Sequence, residues 1–159
     1  MRAVPDLACL SCRNNDRPDL PPRERVYLGP RWRVAHAFGT ALPGWLVVMP
    51  RRHVTALDEL TAGEAADLGP LLRAVTAALR DVTGCSKTYV ALFAEAEGHQ
   101  HVHFHVVSRQ PGLDVRLRGP GVARRASTPT SLARPISFFR YGRGPGSCSG
   151  AGRPSARAS

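Results

Sequence analysis

Two hydrophobic periods alternate along the first two thirds of the chain. The stretch "RERVYLGPRWRVAHAF" reads as two short strands around Gly29-Pro30, the punctuation of a hairpin. "GWLVVMP" is a continuous apolar run that stops at Pro50, as a buried strand would. From Thr61 to Val82 the period changes to that of a helix, with Ala65, Leu68, Leu71, Leu72, Val75, Leu79 and Val82 on one face. Thr61 and Glu64 have capping-box spacing, Gly84 can close the C-terminus, and Pro70 either kinks the helix or marks its start. "KTYVALFA" and "HVHFHVV" are two further strands rich in β-branched and aromatic residues. Strands with one long helix between them predict an α+β fold with a largely antiparallel sheet.

Charge divides the chain more sharply than hydropathy does. The net charge is +10, yet residues 1–118 hold all twelve acidic residues against fifteen basic ones, leaving +7 in residues 119–159. We therefore read residues 1–118 as one domain and 119–159 as a basic Gly/Ser/Pro/Arg-rich tail. The tail lacks sustained periodicity and reads as disordered, with a nucleic-acid-binding arm or a frameshifted C-terminus as alternatives. No stretch has the length of a signal-peptide core or a membrane span, and Cys9, Cys12, Cys85 and Cys148 are too sparse for a disulfide scaffold. The expected location is the cytoplasm.

Four of the six histidines fall within "GHQHVHFHVV". On a strand, His101, His103 and His105 share one face and Val102, Phe104 and Val106 the other, with neighbouring imidazoles roughly 7 Å apart. Such a face could be an exposed strip, a set of metal ligands, or a group with divided roles in which one ring is a nucleophile. Neutral imidazole attacks phosphorus well and gives a hydrolysable phosphoramidate. Cys9-Leu10-Ser11-Cys12 leaves redox, zinc and chance readings open. On the zinc reading two more ligands are needed, and His53 and His101 are the natural candidates.

Together these residues resemble the histidine triad (HIT) superfamily of nucleotide hydrolases and transferases. His101-Val102-His103-Phe104-His105-Val106-Val107 matches the family's His-φ-His-φ-His-φ-φ motif, φ being apolar. "LPGWLVVMPRRHVTALDEL" is similar to its strand and Pro-basic-basic-His turn, and "CLSC" to the N-terminal knuckle of its zinc-containing branch. The resemblance implies an antiparallel sheet with helices, commonly a homodimer. It implies His103 as the nucleophile on the α-phosphate of a nucleotide or dinucleoside polyphosphate, and His105 as a phosphate-binding partner. It also implies a structural zinc on Cys9, Cys12, His53 and His101.

The chain departs from the family at several points. Trp45 stands where Pro-Gly-His is common, "VALFAEAEG" holds no Asn, Ser108 replaces a common Pro, and the segment before the motif is short. His99, Gln100 and Arg109 are the expected substitutes for lost phosphate contacts. A weakly catalytic, zinc-stabilised nucleotide-binding module is the alternative. Trp45 itself reads as core first, with base stacking as its other reading. His36 reads as a structural histidine, Arg51 and Arg52 as solvated, and Cys85 and Cys148 receive no role.

Overall fold

The α2 helix, Ala62–Thr83, is specified at both ends. The Thr61 hydroxyl accepts the Glu64 N–H, the Glu64 carboxylate returns a bond to the Thr61 N–H, and Gly84 closes the C-terminus at φ 62°. The structure, a computed structural model, describes residues 8–40, 42–96 and 98–119. The basic tail beyond residue 119, with Cys148, lies outside the described residues. Pro70 sits inside α2, so it does not mark the start. Val75 and Leu79 are buried and Leu68, Leu71 and Leu72 pack against them, whereas Ala65 and Val82, near the two ends of the helix, are exposed.

Five strands form one antiparallel sheet: β1 Tyr27–Leu28, β2 Trp32–His36, β3 Trp45–Pro50, β4 Lys87–Leu92 and β5 Phe104–Arg109. Their spatial order is β1-β2-β3-β5-β4, which puts β5 in the middle of the sheet's second half. Val34, Val48 and Val106 project from three adjacent strands towards α2, and Val54 and Val102 join them; all five are fully buried. Each such valine contributes about 1.5–3 kcal/mol relative to exposure. Trp32 joins the layers, its indole N–H donating to the Glu64 carbonyl at 3.1 Å.

Two elements differ from the sequence reading. A seven-residue helix, α1, Leu10–Asp16, begins inside the CLSC motif with Cys9 as its N-cap. The final strand starts at Phe104, not His101. β3 ends at Pro50, and its last partner in β5 is Val48, opposite Phe104. The chain before Phe104 is held by other bonds: Val102 N–H donates to the Val54 carbonyl at 2.7 Å, and the His101 ring is drawn to Pro50. His101 and His103 therefore both precede the strand, and of the three histidines only His105 stands on it. Among the described residues, no helix is long and apolar enough to cross a membrane.

Candidate functional site

The histidine segment serves two places. At the first, His101 Nδ1 lies 3.5 Å from Cys9 Sγ and 3.6 Å from Cys12 Sγ, and His53 Nδ1 lies 3.2 Å from Cys12 Sγ. One ligand atom from each of the four residues falls within 4.8 Å of all the others, so the group could hold a metal ion. Cys9, Cys12 and His101 are buried and His53 is half-buried. His101 Nε2 is 2.9 Å from the Pro50 carbonyl, and because a carbonyl only accepts, Nε2 carries the proton. The Nδ1 lone pair is thus directed at the thiols, as a metal ligand requires. Burial is the largest cause that lowers the pKa of His101, to about 4, followed in that direction by the nearby His53; the Pro50 bond opposes the shift.

A second anchor holds α1 to the sheet. Arg33, 1% exposed on β2, donates to Asn15 Oδ1 at 2.7 Å and to Glu24 Oε2 at 2.7 Å. Asn15 donates in turn to the Arg51 carbonyl at 3.0 Å. A buried arginine with both polar partners in place escapes the penalty of an unpaired charge. Arg51 is half tied in as well, donating to the Asn15 carbonyl, and Arg52 pairs with Glu64 at 2.8 Å, so neither arginine is simply solvated. The sequence reading missed Asn15, Glu24 and Arg33; the signal was Arg33 itself, a charge set between the apolar Trp32 and Val34-Ala35 of β2.

The second place is a cleft of about 410 Å³ on the sheet face away from α2, reached by His103 just before β5 and by His105 within it. Leu10, Ser11 and Asn14 of α1 form one of its walls, and Phe93 and Glu95 after β4 another. The His103 and His105 rings stand 4.9 Å apart, edge to face. His103 Nδ1 is 2.7 Å from the His101 carbonyl and must donate to it, leaving the Nε2 lone pair free. His105 is the reverse. Its Nδ1 accepts the Trp45 indole N–H at 3.0 Å, so in the neutral ring Nε2 carries the proton. Burial lowers the His105 pKa to about 4, with His103 adding to the effect, so the ring is neutral near pH 7.

The expected phosphate contacts separate. His99 lines the cleft and lies 5.8 Å from the Phe38 ring. Gln100 is exposed, and Arg109 ends β5 opposite Lys87; neither lines the cleft. Trp45 is 8% exposed and packs on Val107, as its core reading has it, and it also lines the cleft. The His36 ring places Nδ1 2.7 Å from the carbonyl of its neighbour Ala37. Cys85 is buried and forms no disulfide among the described residues.

A sequence model of the HIT domain matches residues 21–112. No curated protein matches the chain. Among solved structures, SMU.412c from Streptococcus mutans UA159 is 25% identical, with 77% of this chain and 80% of that one covered at a TM-score of 0.58. A Zn-bound histidine triad family protein from Mycobacterium smegmatis is 20% identical over 75% of this chain and 91% of its own, at a TM-score of 0.57. A HIT family member from Bacillus subtilis is 19% identical over 65% and 74%, at 0.56. The last two likenesses speak to the fold.

Proposed function

The chain belongs to the HIT family, and from that premise we propose that it is a nucleotide hydrolase or transferase working through a nucleotidyl-His103 intermediate. The observation that carries this reading is the pair of opposite tautomers: a free Nε2 lone pair on His103 beside an Nε2–H on His105, 4.9 Å apart in one cleft. His103 Nε2 attacks the α-phosphorus of a nucleoside phosphoramidate, ester or polyphosphate. The bond to the leaving group breaks, and that group departs with the electron pair and takes a proton from solvent. The ring then carries a positive charge, which its Nδ1–H shares with the His101 carbonyl. Water, or an acceptor, cleaves the phosphorus–nitrogen bond and releases the nucleotide. His105 donates to a non-bridging phosphate oxygen throughout, and His99 supplies the further contact that Gln100 and Arg109 are too far out of the cleft to give.

For the metal, the four-residue group suits zinc. Two thiolates and two imidazoles around a tetrahedral ion would set sulfur and nitrogen roughly 3.5 Å apart, and three of the four sulfur–nitrogen spacings run from 3.2 to 3.6 Å. All four positions are taken by protein, so this ion would hold α1 to the sheet and not activate water. One homodimer is part of the proposal, supported by the apolar, half-exposed Val90 on the edge strand β4. A cytoplasmic location completes it.

A second reading has its own support. Glu95 lines the same cleft, and a carboxylate there would oppose a bound phosphate, which favours a zinc-stabilised nucleotide-binding module with little turnover. One assay separates the two. Incubation with a panel of nucleoside phosphoramidates and dinucleoside polyphosphates should release a nucleoside monophosphate, with an adduct on His103 by mass spectrometry; saturable binding without product would leave the module.

A further inference from the structure

We propose that Trp45 is a positioning residue, whose indole N–H fixes the His105 ring as the neutral Nε2–H donor of the cleft. Trp45 opens β3 opposite Val107 of β5, and Val47 lies opposite His105, so the indole reaches the His105 ring along one sheet face. The two rings meet edge to face, with centroids 5.6 Å apart at 78°, and the N–H to Nδ1 distance is 3.0 Å. An indole N–H donates and never accepts. The atom it faces must carry a lone pair, which leaves Nε2 as the only seat for the proton of a neutral ring. A proton on Nδ1 would set one N–H against another where little water is available to separate them.

The neighbouring structure keeps the indole where it is. Trp45 follows the Pro43-Gly44 turn, and Ser108, 2% exposed, clamps that turn by donating its hydroxyl to the Pro43 carbonyl at 2.6 Å and its N–H to the Gly44 carbonyl at 3.2 Å. Gly44 has φ 73°, and a Cβ there would come within 2.7 Å of Ser108 Oγ. Val107, Tyr89 and Leu113 pack around the indole ring. Ser108 and Trp45 are thus two parts of one device. On the other side of His105, Nε2 has no hydrogen-bond partner among the described residues, and no buried side-chain nitrogen or oxygen among them is left unpartnered. Nε2 therefore opens to the cleft that His105 lines. That the acceptor there is a phosphate rests on the function proposed above; the tautomer does not.

Nitrogen-15 NMR of the full chain at pH 7 tests the tautomer without any substrate. The expected spectrum has His105 Nδ1 in the lone-pair form, Nε2 in the protonated form, and a scalar coupling across the bond from Trp45 Nε1 to His105 Nδ1. A proton on Nδ1 of the wild-type ring would overturn the proposal, and this holds even if no variant folds. In Trp45→Phe, which keeps a ring but loses the donor, His105 should become a mixture of both tautomers. Turnover of a nucleoside phosphoramidate should then fall roughly ten- to hundredfold in kcat with KM little changed, and Trp45→His, which restores a donor, should regain part of it. An unchanged His105 tautomer in folded Trp45→Phe would also overturn it. Absence of any turnover by the wild-type protein would instead count against the enzymatic reading, with the NMR result still deciding the role of Trp45.

Discussion

His101 and His103 are two residues apart, yet one belongs to a closed cluster and the other to an open cleft. Both nitrogens of His101 are engaged, Nε2 by the Pro50 carbonyl and Nδ1 by the facing thiols. His103 has one nitrogen engaged and one free. The difference teaches that a histidine's role follows from what its second nitrogen meets, because that contact fixes where the lone pair points. The two regions are also joined. The side chain of His101 faces the cysteines while its carbonyl holds His103, so a shift of the cluster moves the His103 ring through a single residue.

The largest break in this comparison is His103→Ala. It should lower nucleotide release by roughly 10³-fold or more while the melting temperature and metal content stay near wild type; retained turnover in a steady-state assay would remove His103 from the nucleophile's place. The opposite pattern is expected on the closed side. Cys12→Ser, or a strong chelator, should bring the zinc content below about half an equivalent by elemental analysis and lower the melting temperature by about 10 °C or more. Activity should follow only as far as the cluster positions His103.

Acid sharpens the contrast more gently. His105 is held neutral, with its pKa lowered to about 4 in the fold from an ordinary 6.5. Above pH 6.5 neither the folded nor the unfolded chain protonates this ring, and its contribution is at its most favourable. Between pH 6.5 and about 4 the unfolded chain takes up the proton and the folded chain does not, so stability falls as pH falls, by about 1 kcal/mol at pH 5.5. Urea titrations at the two pH values, with wild type compared against His105→Asn, should isolate that loss. Smallest of all is Thr61→Ala, which removes a helix cap remote from both regions. It should cost about 1 kcal/mol in a thermal melt and leave turnover and zinc content unchanged.

The helix and most strands were legible in the sequence because their signals are local. Thr61, Glu64 and Gly84 spell out their caps within a few residues, and Gly29-Pro30 marks the hairpin between Tyr27–Leu28 and Trp32–His36. The gathering of Cys9, Cys12, His53 and His101 was also legible, since ligand chemistry demands four donors however far apart they lie in sequence. Alternation failed at His101, where the chain leaves the ladder after its partner strand ends. The Arg33–Asn15–Glu24 network and the α1 helix were hidden because they depend on partners 9 to 18 residues away that no periodic pattern links. Trp45 was weighed only as core or stacking surface; its third use, as a hydrogen-bond donor, appears only once β3 and β5 are in register.

β3 also works as a spacer with a fixed gauge. Its first residue, Trp45, holds His105, and its last, Pro50, offers the carbonyl that receives His101. The span between them, roughly 17 Å of extended chain, sets how far apart the two histidine environments stand. Inserting or deleting one residue in this strand would put Trp45 and Pro50 out of step with the histidine segment at the same time. Natural length changes are therefore expected in the loops on either side of β3 and not within it.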